Sequence, residues 1–415
     1  MTAMGSDGPS HVAAEAVARQ SYGKLVAFLA ARTRDVAAAE DALSDAFAAA
    51  LADWPKQGTP ERPEAWLLAV ARRKAIDASR RRRTRDEAAG DLRVIAEQLA
   101  SAEPAEIPDE RLSLMFACAH PAIDAGIRAP LILQTILGFD AAAIASAFLV
   151  SPTTMGQRLV RAKQKIVQAG IPFRLPERAD VPGRLEAVLE AIYATFAEGW
   201  SDPQGTEARR RNLAQEGIWL GRLIASLLPE EPEALGLLAL MLYAEARRPA
   251  RRSTDGEYVP LGEQDTALWD SALIGQAEAL LRAASAKGAL GRYQLEAAIQ
   301  SAHVVRRLTG RADWQAISDL YDLLFALTRS PVVAINQAIA VGELRGPRAG
   351  LALLDAWRED KRLAEYQPHW AARADLLARA AEPADADRAY QLAIGLEADP
   401  AVRRFLQHRR EALRS

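Results

Sequence analysis

The sequence predicts an all-α protein built from more than one domain. Nearly every periodic stretch repeats its apolar positions at helical spacing, Ala and Leu dominate, and no segment alternates as a strand would. At 415 residues the chain is longer than one hydrophobic core usually serves, so two or three domains are expected. Half of the residues are hydrophobic (50%), enough to fill such cores, and the formal charge is only -2. Any contact with a polyanion must therefore come from a local basic patch. Cys118 is the single cysteine, which excludes an internal disulfide or a multi-cysteine zinc site and suits a reducing cytoplasm. No apolar run approaches the ~20 residues of a membrane span, and "MTAMGSDGPS" lacks the features of a signal peptide, so a soluble intracellular protein with no membrane contact is expected.

The first strong helix is "AAAEDALSDAFAAALADW" (37–54), with Leu43, Phe47 and Leu51 as its apolar side and Glu40, Asp41, Ser44 and Asp45 as its polar side. An acidic face cannot hold phosphate, so it meets either solvent or a basic protein. The next helix, "PEAWLLAVARRKAIDASRRRRTR" (63–85), places Trp66, Leu67, Val70 and Ile76 on an apolar stripe and ends in five arginines within six positions. One reading is a solvated helix end favoured by the dipole. The other is a grip on a phosphate backbone, in which each contact steepens the salt dependence by about 0.9 in log-log slope. Charge density favours the second.

The stretch 85–110 carries eight acids against Arg85 and Arg93 and reads as a connection, as does the proline-rich "AGIPFRLPERADVPGR" (169–184). Between them lies "GFDAAAIASAFLVSPTTMGQRLVRAKQKI" (138–166). A short helix from Asp140 to Phe148 is followed by a tight turn and a longer helix, with Ser151 as N-cap and Pro152 in the first position. At about 100° per residue, Met155, Leu159, Ala162 and Ile166 form one stripe, and Thr154, Gln157, Arg158, Arg161 and Lys165 cluster on another face. An apolar back and a polar, basic front is what a helix-turn-helix recognition helix needs in the major groove, and that reading outweighs an ordinary solvated face.

Beyond 184 the pattern stays helical. "INQAIAVGELRGPRAGLALLDAW" (335–357) resembles "AARADLLARAAEPADADRAYQLAI" (371–394), each a helix, a proline-containing turn and a helix. Length and small-residue spacing are similar to tetratricopeptide (TPR) repeats, though Ala-rich helical hairpins also arise without them. Chemistry is sparse: histidines at 11, 120, 303, 369 and 408 lack metal spacing and no glycine-rich phosphate loop occurs, so no enzymatic activity and no cofactor are expected. Cys118 and His120 point to different helix faces, which favours a buried thiol and a packed or capping histidine. Trp200, Trp219, Trp269 and Trp357 are expected in cores rather than in a ligand groove.

The acidic helix "AEDALSDAF", then "PEAWLLAVARRKAID" with its arginines, an acidic linker and a helix-turn-helix together resemble the extracytoplasmic-function (ECF) sigma factors of bacterial RNA polymerase, over about residues 15–170. The remainder, with "LLALMLYAEARRPAR", "VPLGEQDTALWD" and "SPVVAINQAIAV", is similar to the TPR-like extension of one ECF subgroup. The resemblance implies sigma region 2 at 12–84, an acidic linker at 85–107, sigma region 4 at 108–170, a second linker at 171–183 and a helical regulatory extension at 184–415. It implies that Asp41, Ser44 and Asp45 dock on the coiled coil of the largest polymerase subunit, with Phe47 as core beneath, and that the flap region is a further polymerase contact. The loop 55–63, with Lys56 and Arg62, then stands where a flipped base of the minus-10 element is captured; Arg73, Lys74, Asp77, Arg80 and Arg81 lie on the helix that reads that element. Thr153, Thr154, Gln157, Arg158, Arg161 and Lys165 would approach the minus-35 element of promoter DNA.

The linker's charge suits a basic polymerase channel, though composition alone fits a plain spacer as well. Three positions depart from the family: Arg73 stands where many members carry Asn, Ser44 replaces a common Gln, and Asp140 takes the place of a Ser or Thr cap. A rival reading is a one-component regulator whose helix-turn-helix binds an operator while the TPR-like region senses a ligand or protein; a bare TPR scaffold is a more distant third. The N-terminal module separates them, because an operator-binding regulator needs neither an acidic docking helix nor an arginine helix. Covalent attachment gives the extension a high effective concentration for regulation in cis.

Overall fold

The computed structural model describes residues 9–83, 109–148, 150–176, 181–200, 208–360 and 363–414. The all-α prediction holds: every regular element among the described residues is helical, and extended pairing is limited to one antiparallel bridge between Arg252 and Tyr258. The expected acidic linker at 85–107 lies outside the described residues. The chain forms two compact units, one holding residues up to 201 together with 207–217, the other holding 218–415.

In the first unit, α1 (Pro9–Thr33), α2 (Val36–Gln57) and α3 (Pro63–Arg83) pack on one another. Asp35 starts α2 by accepting the Ala38 N–H at 3.0 Å. The buried side of α2 is Val36, Ala39, Ala42, Leu43, Ala46, Ala50 and Trp54, so Leu43 is core as expected but Phe47 and Leu51 are not. Leu51 is 41% exposed and Phe47 only part-buried. Three helices in close approach need small residues at their seam, so alanines took the positions that side-chain size had assigned to Phe47 and Leu51. The same holds for α3, which buries Leu67, Leu68, Ala71 and Ala75 and leaves Trp66, Val70 and Ile76 part-buried.

A second set follows: α4 (Arg111–Cys118), α5 (Ala125–Leu137), α6 (Ala141–Ala147) and α7 (Pro152–Gln168). It packs directly on the first, α1 crossing α4 and α5. The crossing requires glycine: a Cβ on Gly23 would lie 2.2 Å from the Ile136 carbonyl oxygen. At the end of α5, Gly138 takes a left-handed conformation (φ 72°) that supplies the C-cap, and Tyr22 lies against it. Cys118 is fully buried 3.5 Å from Thr135 Oγ1, and burial pushes its thiol up to about 12. His120 Nδ1 accepts the Ala122 N–H at 3.1 Å, a turn cap. Helix α8 (Val181–Trp200) closes this unit against α4 and α5, although the sequence places 184 at the start of the extension.

Helix α9 (Ala208–Leu227) begins in the first unit and ends in the second. The second unit is centred on α10 (Pro232–Ala246), buried almost throughout between α11 (Ser271–Ser285) and α12 (Arg292–Val304). Gly291 offers no capping side chain at the start of α12, so Glu233 of α10 accepts the Tyr293 and Gln294 N–H groups at 2.9 and 3.1 Å. Three 3-10 turns and the bridged loop connect α10 to α11. Then come α13 (Trp314–Thr328), α14 (Pro331–Arg345), α15 (Pro347–Asp355), α16 (Gln367–Arg379), α17 (Pro383–Leu396) and α18 (Pro400–Glu411), each packed on its predecessor. The α14–α15 and α16–α17 pairs coincide with the two similar stretches of sequence. Gly342 and Gly350 meet where α14 and α15 press together, since a Cβ on Gly350 would stand 3.1 Å from the Gly342 Cα. Trp269 is buried, Trp200 stacks against Phe196 and Trp357 meets Phe325 edge to face, whereas Trp219 is 36% exposed.

Candidate nucleic-acid interface

The helix-turn-helix is built as its capping residues require. Asp140 accepts the Ala143 N–H at 2.7 Å and so replaces the missing Ser or Thr cap at the head of α6. Ser151 accepts the Thr154 N–H at 3.2 Å with Pro152 in the first turn of α7. Met155, Leu159, Ala162 and Ile166 are all buried, which fixes the rotation of α7. Thr153, Thr154, Gln157, Arg158, Arg161 and Lys165 are consequently all exposed. Val160, 54% exposed, joins that front between Gln157 and Arg161. The sequence reading passed over it; its place three residues after Gln157 is the signal that it belongs with the polar front.

On α2, Asp41, Ser44 and Asp45 are exposed on one face, and Ala48, Leu51 and Ala52 continue that face at helical spacing. An acidic patch prolonged by an exposed leucine suits a protein partner better than solvent. Glu40 leaves the patch. It is turned inward to an ion pair with Lys163 of α7, the two side chains being 12% and 11% exposed. Burial raises the Glu40 carboxyl above its ordinary range despite that lysine, and its Oε1 has no hydrogen-bond partner among the described residues.

Helix α3 divides its cations. Arg72 is drawn in over the Phe28 ring at 5.2 Å, so it is not part of an open cationic face. Arg73, Lys74 and Asp77 are exposed. Lys74 approaches Asp45 at 3.9 Å, but both side chains are about half in water, so the pair contributes little. The helix runs on through Arg80 and Arg81 to Arg83, and the side chains of Arg80 and Arg81 lie outside what is described. Lys56 and Arg62 are exposed on either side of Gly58, whose φ of 86° ends α2. Trp54 and Trp66 meet edge to face at 5.6 Å beneath that connection and hold its two ends.

No group of three or more His, Cys, Asp or Glu side chains able to hold a metal occurs among the described residues, and no helix among them is long and apolar enough to cross a membrane.

Residues 17–85, which comprise α2, α3 and most of α1, match the sigma-70 region 2 family. Residues 184–285 match a family of unknown function, DUF6596. A protein of Rhizobium meliloti (strain 1021) named "Uncharacterized protein R00370" is 36% identical over 394 residues, 94% of this chain and 92% of the relative. No solved structure matches the chain. The region 2 match falls on the acidic and basic helices just described, and likeness to the Rhizobium protein extends along nearly the whole chain: the protein carries a sigma-70 region 2 domain and belongs to one family with that relative.

Proposed function

We propose that this protein is a cytoplasmic, non-enzymatic ECF-type sigma factor. It binds core RNA polymerase, directs it to minus-35 and minus-10 promoter elements and promotes melting, and its TPR-like extension regulates it in cis. The observation that carries the reading is the exposed acidic face of α2 beside the exposed cations of α3, both inside the residues that match sigma-70 region 2. Asp41, Ser44, Asp45 and Leu51 form the surface for the basic coiled coil of the largest subunit. Lys56, Arg62, Arg73, Lys74, Asp77, Arg80 and Arg81 hold the separated strands, where stacking and charge offset the few kcal/mol that unstacking a base costs. The front of α7 takes the minus-35 duplex, with Val160 available to a thymine methyl. No step of this role needs a cofactor. The acidic linker at 85–107 is proposed to occupy a basic polymerase channel.

Run-off transcription from a genomic fragment pool with purified core enzyme tests the whole reading. New start sites that depend on the protein are expected; their absence would favour an operator-binding regulator. Reversing Arg80 and Arg81 to Glu should lower the log-log salt slope of promoter binding by about 0.7 to 0.9 for each lost phosphate contact, while core association stays within about twofold. An equal loss of both would refute the proposed division between α2 and α3.

A further inference from the structure

Where α7 ends beside the turn from α1 to α2, the first unit carries a cleft of about 660 Å³ that the promoter reading does not use. One wall is the end of α7. Gly170 takes a left-handed conformation (φ 59°), the Ala169 and Ile171 N–H groups donate back to the Lys165 and Ile166 carbonyls at 2.9 and 3.0 Å, and Ile171 is folded into the core. Val167 stays 48% exposed, and Phe173 is half-buried just beyond Pro172. The other wall is the end of α1. Arg34 takes a left-handed conformation there (φ 55°), and its N–H closes the helix on the Ala30 carbonyl at 2.8 Å.

The polar groups of the two walls divide into those already committed and those left open. Thr33 donates its hydroxyl to the Leu29 carbonyl at 3.0 Å, and Asp35 accepts the Ala38 N–H at 3.0 Å as the N-cap of α2. The capping bonds at Ala30, Lys165 and Ile166 occupy carbonyls that would otherwise attract a cation to either wall. Arg34 and Arg174 are different. Both line the cleft, both are exposed, and among the described residues neither guanidinium is paired with a carboxylate or hydrogen-bonded. Asp35 is the one carboxylate in the lining against these two cations, and it is engaged as a cap. What remains open to an occupant is therefore a cationic pair beside the apolar surface of Val167, Ile171 and Phe173.

We propose that this cleft binds a small amphipathic anion, its apolar body seated on Val167, Ile171 and Phe173 and its single oxyacid head held by Arg34 and Arg174. The volume falls within the about 300–1,000 Å³ of small-molecule sites, and an apolar lining with a few convergent polar groups is their usual composition. Guanidinium forks match a carboxylate, sulfonate or phosphate head in a bidentate manner. Arg34 belongs to the turn before α2 and Arg174 to the segment after α7, so one occupant ties the two walls together. It holds the end of α7 against the α1–α2 turn, as the Glu40–Lys163 pair holds α7 on α2. Binding here is independent of the promoter reading, since it requires neither polymerase nor DNA.

The test compares two fluorescent probes of similar shape on the full chain: 8-anilino-1-naphthalenesulfonate, which carries an anionic head, and N-phenyl-1-naphthylamine, which lacks it. Saturable one-site binding of the sulfonate is expected, about tenfold tighter than that of the uncharged probe, as a charge-assisted contact implies. Arg34→Gln and Arg174→Gln should each weaken the sulfonate by about fivefold and leave the uncharged probe within about twofold. Both side chains are exposed and unpaired, so the fold does not rest on them. Arg358→Gln, which removes an exposed cation of the second unit, should change neither affinity. With the sulfonate bound, hydrogen exchange should slow in segments 31–35 and 166–174. Equal affinity for the two probes, an unchanged ratio of affinities in the arginine variants, or protection confined to other segments overturns the proposal.

Discussion

His303 lies on α12 with its ring against Trp314 and with Arg247 and Arg306 as charged neighbours. Burial and those two cations hold it near 4, well below the ~6.5 of an unfolded histidine. The folded state therefore binds fewer protons there than the unfolded chain does. Stability from this group is fully present above about pH 6.5 and is lost as pH falls toward 4. Between pH 7 and pH 5 the loss is about 2 kcal/mol, because the unfolded histidine gains its proton over that interval and the folded one does not. His303→Phe keeps a ring for Trp314 and removes the titration. Urea denaturation of the second unit at pH 7 and pH 5 should then show a smaller acid loss in the variant by roughly that amount; identical acid losses in the two proteins would show that His303 is not held neutral.

Helices α2 and α7 meet through Glu40 and Lys163, and under the proposed function this contact bears on how α7 and α3, which packs on α2, are deployed. Elements named for positions minus 35 and minus 10 are separated by roughly 25 base pairs, about 85 Å of duplex at 3.4 Å per step. If α3 takes the minus-10 element and α7 the minus-35 element as proposed, they cannot reach both from adjacent positions, so α7 would have to leave α2 when the promoter is engaged. The ion pair resists that departure, and its loss should favour it. Replacing Lys163 by Met leaves a buried carboxylate without its partner and should cost about 3 kcal/mol of the first unit's stability, whereas Glu40→Gln with Lys163→Met should recover at least half of that. Urea midpoints of the three proteins decide the matter, and hydrogen exchange should rise along α7 in the single variant. A Lys163→Met protein as stable as wild type would mean that the contact does not hold the helices together. The same helices show what a sequence discloses. Helices α6 and α7 were legible nearly to the residue, since Asp140, Ser151 and Pro152 are local signals and a narrow apolar stripe fixes the rotation of α7. The rotation of α2 was not. Alanine reads as neutral in a single chain, and only the approach of α1 and α3 decides that Ala39, Ala46 and Ala50 face inward while Leu51 faces out. Likewise nothing local to Glu40 reveals a partner 123 positions away.

At the scale of the whole molecule, the sequence and the compact units divide the chain differently, and the difference decides how regulation in cis can be tested. Similarity to DUF6596 begins at 184, which suggests a cut near 175 to isolate the part proposed to bind promoter DNA. Yet α8 packs on α4 and α5, buries Leu185, Val188, Leu189 and Ile192, and sends Arg184 Nη2 to the Phe116 carbonyl at 2.8 Å. Each large apolar side chain taken from water contributes about 1.5 to 3 kcal/mol, and the face of α5 beneath would be uncovered at the same time. The sum is comparable with the 5–15 kcal/mol that holds a typical domain together. A fragment of residues 1–175 should therefore melt far below a fragment of residues 1–200, by more than about 10 °C in circular dichroism, and should bind core polymerase poorly for that reason alone. If the extension regulates in cis, the comparison that reveals it is the full chain against residues 1–200, because both keep α8 in place. Equal melting of the two fragments would place α8 with the extension and restore 175 as the boundary; a lower melting point for 1–175 would mean that transcription lost with it reports an unfolded first unit rather than a missing regulator.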